Sequence, residues 1–446
     1  LTVRLRKPVS FAWDLPGGPL QEELERVIGV RRLFAQADVE QYGSRLEILD
    51  YRGKTVARLR IESGRARLPR SRSPWHPLPT AITLSGMRGY EDVYERLVPV
   101  IESRPGVEPS SESLHVAILR QIGASLRGDV SSPRVDLAPT VRGDVGARRI
   151  HLALLGILLA NEPGLRANLD TEFLHDFRIA VRRTRSLLGQ IKHVFPPAVV
   201  EHFSTEFSWT GRLTGPPRDM DVLVLALRER GGEVPASDME SLTAFLDQVQ
   251  QQEHRDLVDA LDSSRYRRLL ADWGAFLERP APSEPLPRNA GRRLAEVVSR
   301  RAWRLSERIA RSAGTIDERT PAARLHEVRI DTKKLRYLID VTPAFYDAAH
   351  LDNVLRALKK LQRVLGDFND TRVQERRLLE CGRAMSAAGA PSGALQALGR
   401  LAEQSRQRSR RLRSQVIEGL SRFGARDTRS VCRRAFKGAA PAGRGR

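Results

Sequence analysis

The segment LHDFRIAVRRTRSLL (174–188) places His175, Arg178, Arg182 and Arg185 at i, i+3, i+7 and i+10. On a helix, at ~100° and ~1.5 Å per residue, these four form one narrow line about 15 Å long. Leu174, Phe177, Val181 and Leu188 fall roughly a quarter-turn away, where they can face a core. The line is wholly basic. Like charges at these spacings destabilise an isolated helix by roughly a few tenths of a kcal/mol per pair. A helix built for stability alone would intersperse acids. The chemistry such a line can do is to hold a linear anion whose charges repeat along the helix axis. A histidine set among arginines adds a proton-uptake component to anion binding.

The line is written twice. LHEVRIDTKKLRYLI (325–339) repeats it at an offset of 151 (325 − 174). Leu174, His175, Arg178, Ile179, Arg185 and Leu187 recur as Leu325, His326, Arg329, Ile330, Arg336 and Leu338. Arg182 and Arg183 become Lys333 and Lys334, so charge is kept where identity is lost. The same register lays GRLTGPPRDMD (211–221) over QRVLGDFNDTR (362–372), matching Gly215 to Gly366 and Asp219 to Asp370. It also lays Arg142 and Arg149 over Arg293 and Arg300. One gapless register points to duplication, and the period is too long for a solenoid but suits two copies of a small bundle. A lone basic stripe is ordinarily a solvated face. Its repetition, histidine included, favours a ligand.

Asp219 and Asp370 can cap a helix or orient a guanidinium, and capping is the commoner role. Arg218 is a ligand candidate whose counterpart, Asn369, is neutral. Arg293, Arg300, Arg304 and Arg311 make a further basic line. No Walker-type loop, HExxH helix or Cys/His metal spacing occurs, so no catalytic or metal-ligating residue is assigned.

These residues need elements to hold them. From about 141 the apolar spacing is helical almost throughout, with loops marked by Pro or Gly. Residues 1–104 differ: LTVRLRKP, SRLEILDY, KTVARLRIES and TAITLSG alternate like strands. Tyr51 to Lys54 reads as a hairpin turn, Pro69 to Pro79 as a loop, and YEDVYERLVPVIE as a helix. With 446 residues and 41% hydrophobic content, the chain can bury a sizeable core. Its net charge of +21, from 75 Lys+Arg against 54 Asp+Glu, favours polyanionic partners. Cys381 and Cys432, far apart, fit a reducing cytoplasm. No apolar run approaches the ~20 residues that span a bilayer. No secretory signal is visible, and the chain opens at Leu1 without a methionine.

The paired LHDFRIAVRRTRS and LHEVRIDTKKLRY, with TGPPRDMD and LQRVLGDFND, resemble the signature segments of the CHAD domain, the conserved histidine α-helical domain, over roughly 141–425. The resemblance implies a mainly α fold of two four-helix bundles related by pseudo-twofold symmetry. The bundles would occupy 141–279 and 292–425, with a linker at 280–291 and a basic tail at 426–446. It implies non-catalytic binding of inorganic polyphosphate, without a cofactor, on a basic surface between the bundles. The implied contacts are His175, Arg178, Arg182, Arg183 and Arg185, with His326, Arg329, Lys333, Lys334 and Arg336. Arg149 and Arg300 on the preceding helices join them; outside the resemblance, Arg218 is the candidate already named, and charge and register add Lys359, Lys360 and Arg363. Association with cytoplasmic polyphosphate granules would follow.

Residues 1–104 resemble a CYTH domain, a β-tunnel that handles triphosphorylated substrates, followed by a linker at 105–140 with room for a short helix. CYTH catalysis needs an ExExK strand; the opening TVRLRK instead carries Arg4 and Arg6, and Glu47 and Glu62 alone make a poor Mg²⁺ site. The expectation is a degenerate, β-rich α+β CYTH-like domain. A triphosphate-hydrolysing enzyme is the alternative, and a general nucleic-acid binder is another. With 6% aromatics, none alternating with the stripe, nucleic acid is expected only as a non-specific polyanion at low salt. The tract RQRSRRLRS (406–414) reads as a solvated helix face.

Overall fold

The computed structural model describes residues 9–69, 73–123, 133, 135–228, 236–280 and 287–437. The opening run LTVRLRKP, with Arg4 and Arg6, lies outside the described residues, as do 438–446. The chain is mainly helical (68%) with a small antiparallel sheet, and it divides into two compact units, Leu1–Asp129 and Val130–Arg446.

In the first unit, α1 (Pro19–Ile28) precedes β1 (Asp38–Leu49), β2 (Thr55–Arg67) and β3 (His76–Gly86), hydrogen-bonded in the order β1-β2-β3. Asp50 closes the β1–β2 turn by accepting the backbone N–H groups of Arg52 and Lys54, and Gly53 takes a φ of 77°. Pro77 and Pro79, read as loop residues, lie inside β3. β3 is an edge strand, where a missing N–H need cost no ladder bond. Next come α2 (Glu91–Glu102) and α3 (Leu114–Gln121). The sequence leaves α3 in a linker, but Ile118 and Leu119 bury against Ala66 and Leu78 of the sheet.

Glu47 faces Arg58 across β1–β2, and Glu62 lies four residues further along β2, roughly 13 Å away at ~3.3 Å per residue. Glu47 pairs with Arg58 at 3.3 Å and Glu62 with Arg60 at 3.7 Å. Two acids so separated and so partnered cannot share one cation. Among the described residues the sheet has three strands and is open, not a closed tunnel.

The second unit begins with α4 (Gly143–Arg166), α5 (Thr171–Gln190), α6 (Pro197–Leu213), α7 (Gly215–Arg228), α8 (Ala236–Leu261) and α9 (Ser264–Glu278). It continues with α10 (Leu294–Ser312), α11 (Ala322–Val341), α12 (Ala348–Ala387), α13 (Ser392–Gly424) and α14 (Arg426–Lys437). At the offset of 151, α4 and α5 fall on α10 and α11, whereas α6 and α7 both fall on the single helix α12. The break after Thr214 follows from Gly215-Pro216-Pro217, two prolines without N–H donors. Its counterpart, Gly366-Asp367-Phe368, can continue a helix. The run read as a tail from 426 is helical to Lys437 and buries Cys432, Ala435 and Phe436.

The halves share their cores. One apolar cluster runs from Leu137 to Phe436. Another joins Met220 and Leu223 of α7 and Leu246 of α8 to Leu378 of α12 and Leu398 of α13. Arg142 and Arg293, equivalent in the repeat, form an isolated antiparallel bridge. There the Gly143 N–H donates to the Arg292 carbonyl at 2.7 Å and the Leu294 N–H to the Val141 carbonyl at 2.9 Å. Each bond is the other's equivalent under the same offset.

Candidate functional site

The first stripe is held by the way α5 starts and packs. Asp170 caps it, its carboxylate accepting the N–H groups of Glu172 at 2.8 Å and Phe173 at 3.2 Å. Phe173 in turn lies so close over Gly164 of α4 that a Cβ there would sit 2.3 Å from the ring, so only glycine fits. Leu174, Phe177, Ala180, Val181 and Leu188 are buried, which fixes the rotation of α5 and leaves Arg178 and Arg182 at the edge of the core. On α11, Leu325, Val328, Thr332, Leu335 and Leu338 do the same for Arg329 and Lys333.

α5 packs against α11, so the two stripes meet. Burial, reinforced by the charges of Arg182 and Arg329 and more weakly Arg178, pushes the Lys333 ammonium down to about 6. Burial and the charge of Arg182 likewise lower Arg178 and Arg329, partly offset by Asp219 at the first and Asp370 at the second. The guanidinia stay charged. Arg178 donates only to neutral acceptors, the Gly211 carbonyl and Thr214 Oγ1, both at 3.4 Å. Arg329 donates to Asp370 at 3.2 Å. The buried Nε–H groups of Arg182 and Arg329 meet no protein acceptor, and Arg182 has no acid partner among the described residues. Four cations with one direct carboxylate between them are a costly arrangement for the empty protein. An anion placed there relieves it.

The remaining sequence-read residues divide by partner. Asp340 pairs with Arg336 at 2.5 Å and with Arg183 at 3.5 Å, so one acid holds a cation from each half. Lys334 lies 3.6 Å from Asp331, which also binds Arg308, on another face of α11. Arg218 donates to the Thr171 carbonyl at 2.9 Å and lies near Glu172 and Asp221, so it is already engaged. Burial raises the Asp221 carboxyl to about 6, although Gln250 donates to it. Arg185, Arg149, Lys359, Lys360 and Arg363 are exposed. Lys359 and Arg363 share the face of α12 that carries Asp370, so they extend the meeting point by about 17 Å of helix. Lys360 lies ~100° away from that face. Arg300 lines a different hollow.

His326 Nδ1 lies 2.9 Å from Asn369 Oδ1, which orients the ring. His175 shares its turn of α5 with Glu172 and Asp176, and their ligand atoms lie within 4.8 Å of one another. That is the spacing of a cation site, and Arg218, 3.5 Å from Glu172, supplies positive charge beside it. Asp219 and Asp370 do not cap. Both lie within helices and hold guanidinia, Asp219 that of Arg377 at 3.6 Å and Asp370 that of Arg329. The sequence reading missed Asp340 and Arg377. Asp340 was visible as an i+4 partner of Arg336; its bond to Arg183 was not, because it crosses between helices and joins residues 157 apart (340 − 183).

A family model of the CHAD domain matches residues 149–379. Two uncharacterized proteins of Mycobacterium tuberculosis, from strains CDC 1551 and H37Rv, are each 27% identical over 235 residues. The match covers 48% of this chain and 42% of theirs, so the chain spans less than half the length of these relatives. The crystal structure of the CHAD domain from the plant Ricinus communis matches with a TM-score of 0.55 at 27% identity, over 65% of this chain and 95% of that one.

Proposed function

The chain belongs to the CHAD domain family, and from that premise we propose that it binds inorganic polyphosphate, without catalysis, along the paired stripes of α5 and α11. The observation that carries the reading is the meeting of Arg178, Arg182, Arg329 and Lys333 with too few acids to neutralise them. Arg185 on one side, and Lys359 and Arg363 on the other, continue the positive charge outward, as a long anion requires. Affinity comes from charge-assisted hydrogen bonds and counterion release. A single-stranded nucleic acid is held largely by stacking on aromatic rings. Tyr337 lies under Arg183, 5.7 Å from guanidinium carbon to ring centre.

We read the helical unit as two related four-helix bundles, and the symmetric hydrogen bonds around Arg142 and Arg293 support that reading. The N-terminal unit is, on this reading, a CYTH-like domain without a working metal site, supported by the separation of Glu47 and Glu62. Polyphosphate granules of the cytoplasm are the proposed place of action.

The test is a competition near physiological salt. Labelled long-chain polyphosphate is bound and challenged with tripolyphosphate, duplex DNA and single-stranded RNA at matched phosphate concentration. Displacement by long polyphosphate alone, lost in the folded variant Arg182→Gln/Lys333→Gln, is the expected result. Equal displacement by nucleic acid, or unchanged affinity in that variant, overturns the reading.

A further inference from the structure

The end of α5, the segment 288–292 and the start of α10 enclose a hollow of about 200 Å³. Lys192, Arg288, Arg292, Arg300, Arg301 and Arg304 line it. Glu296 is the only acid in the lining, which leaves a formal charge of +5 (6 − 1). Arg301 donates its Nε–H to Gln190 at 2.8 Å, and none of the six makes an ion pair among the described residues. The repeat does not account for this cluster. At the offset of 151, Arg288, Arg292, Arg301 and Arg304 fall on Leu137, Val141, Ile150 and Ala153.

The wall of the hollow is held in place. His193 adopts a φ of 60°, uncommon for a residue with a side chain. Its carbonyl accepts the Asn289 N–H at 2.8 Å, and the Lys192 carbonyl accepts the Asn289 side-chain amide at 2.8 Å. The turn after α5 is thereby tied to the segment that presents Arg288 and Arg292. Gln190 lies eight residues beyond Arg182, about 12 Å along α5. The hollow is therefore a place apart from the meeting of the stripes.

We propose that this hollow is a second anion site that takes a diphosphate group, either free pyrophosphate or the terminal pair of a phosphate chain. At about 200 Å³ the hollow has room for a small polyanion of that kind. A pyrophosphate has seven oxygens. Guanidinium forks bind such oxygens in pairs, and arginines supply five of the six cations. The proposal goes beyond the polyphosphate reading and does not need it.

The experiment is equilibrium dialysis of the full chain with radiolabelled pyrophosphate at 0.15 M salt, a roughly physiological ionic strength. One equivalent should bind. Arg300→Gln/Arg304→Gln, both exposed, should weaken it by at least about tenfold per arginine, as expected for charge-assisted hydrogen bonds. Arg288→Gln/Arg292→Gln provides a second variant should the first misfold. The stripe variant Arg182→Gln/Lys333→Gln should retain pyrophosphate binding. Loss of binding in that stripe variant alone, or no stoichiometric binding by the wild type, overturns the site. Displacement of pyrophosphate from the stripe variant by long polyphosphate assigns the source as a chain end, and failure to displace it assigns the free diphosphate. Either of these outcomes supports the site.

Discussion

Raising the pH from 6 to 8 discharges Lys333 in the free protein, and binding an anion must then recharge it. Its surroundings set the scale: Arg178 and Arg182 on α5, Arg329 on its own helix and Asp370 on α12. The free-state value is about 6, whereas the bound ammonium, beside phosphate oxygens, returns towards the ordinary range. Affinity is therefore full well below pH 6, is halved at about 6, and declines further as pH rises. For one such group, affinity scales as 1/(1 + 10^(pH − 6)), a fall of about 50-fold, roughly 2.3 kcal/mol, between pH 6 and 8. By the same relation, binding at pH 7 takes up about 0.9 proton. Titration calorimetry in buffers of different ionisation enthalpy measures that uptake directly. Lys333→Met should abolish this component while leaving His175 and His326 in place as the control. A wild-type uptake below ~0.2 proton at pH 7, with affinity flat across the range, would refute the reasoning.

Three further outcomes are expected. With four cations at the meeting point, log K against log salt should slope by about −3, a loss of roughly 50-fold between 50 and 200 mM salt; fluorescence anisotropy across that range checks it. Asp340→Asn releases Arg183 and Arg336, so polyphosphate affinity should rise several-fold while thermal stability falls modestly, read from paired binding and melting curves. His151, buried against Trp273 with neither ring nitrogen hydrogen-bonded, is held neutral down to about 3. Because the unfolded chain protonates it below about 6.5, folding stability should fall with pH by up to about 1.4 kcal/mol per unit between 6.5 and 3. His151→Leu should remove that part of the acid sensitivity in urea melts.

The helices were legible because burial in a bundle imposes a 3.6-residue period, and Leu174, Phe177, Val181 and Leu188 display it whatever they pack against. The strands from Ser44 to Gly86 showed through for the corresponding reason, the two-residue alternation of a sheet. The same local patterns misled where a partner mattered. Pro77 and Pro79 look like loop residues until β2 makes β3 an edge, and α14 looks like a tail until Phe436 finds the core. The repeat at an offset of 151, the placement of basic residues on α5 and α11 and the charge of the chain are properties of the sequence alone. Which basic residues act together was decided only by tertiary structure. Asp340 ties down Arg183 and Arg336, Asp331 holds Lys334, and Glu172 and Asp221 engage Arg218. Arg182 and Lys333 are left without an acid in ion-pair contact among the described residues, and the charge of Arg182 acts on Lys333. The reason is that charge is a property of a residue, whereas its neutralisation depends on distance, and those distances span helices far apart in the chain.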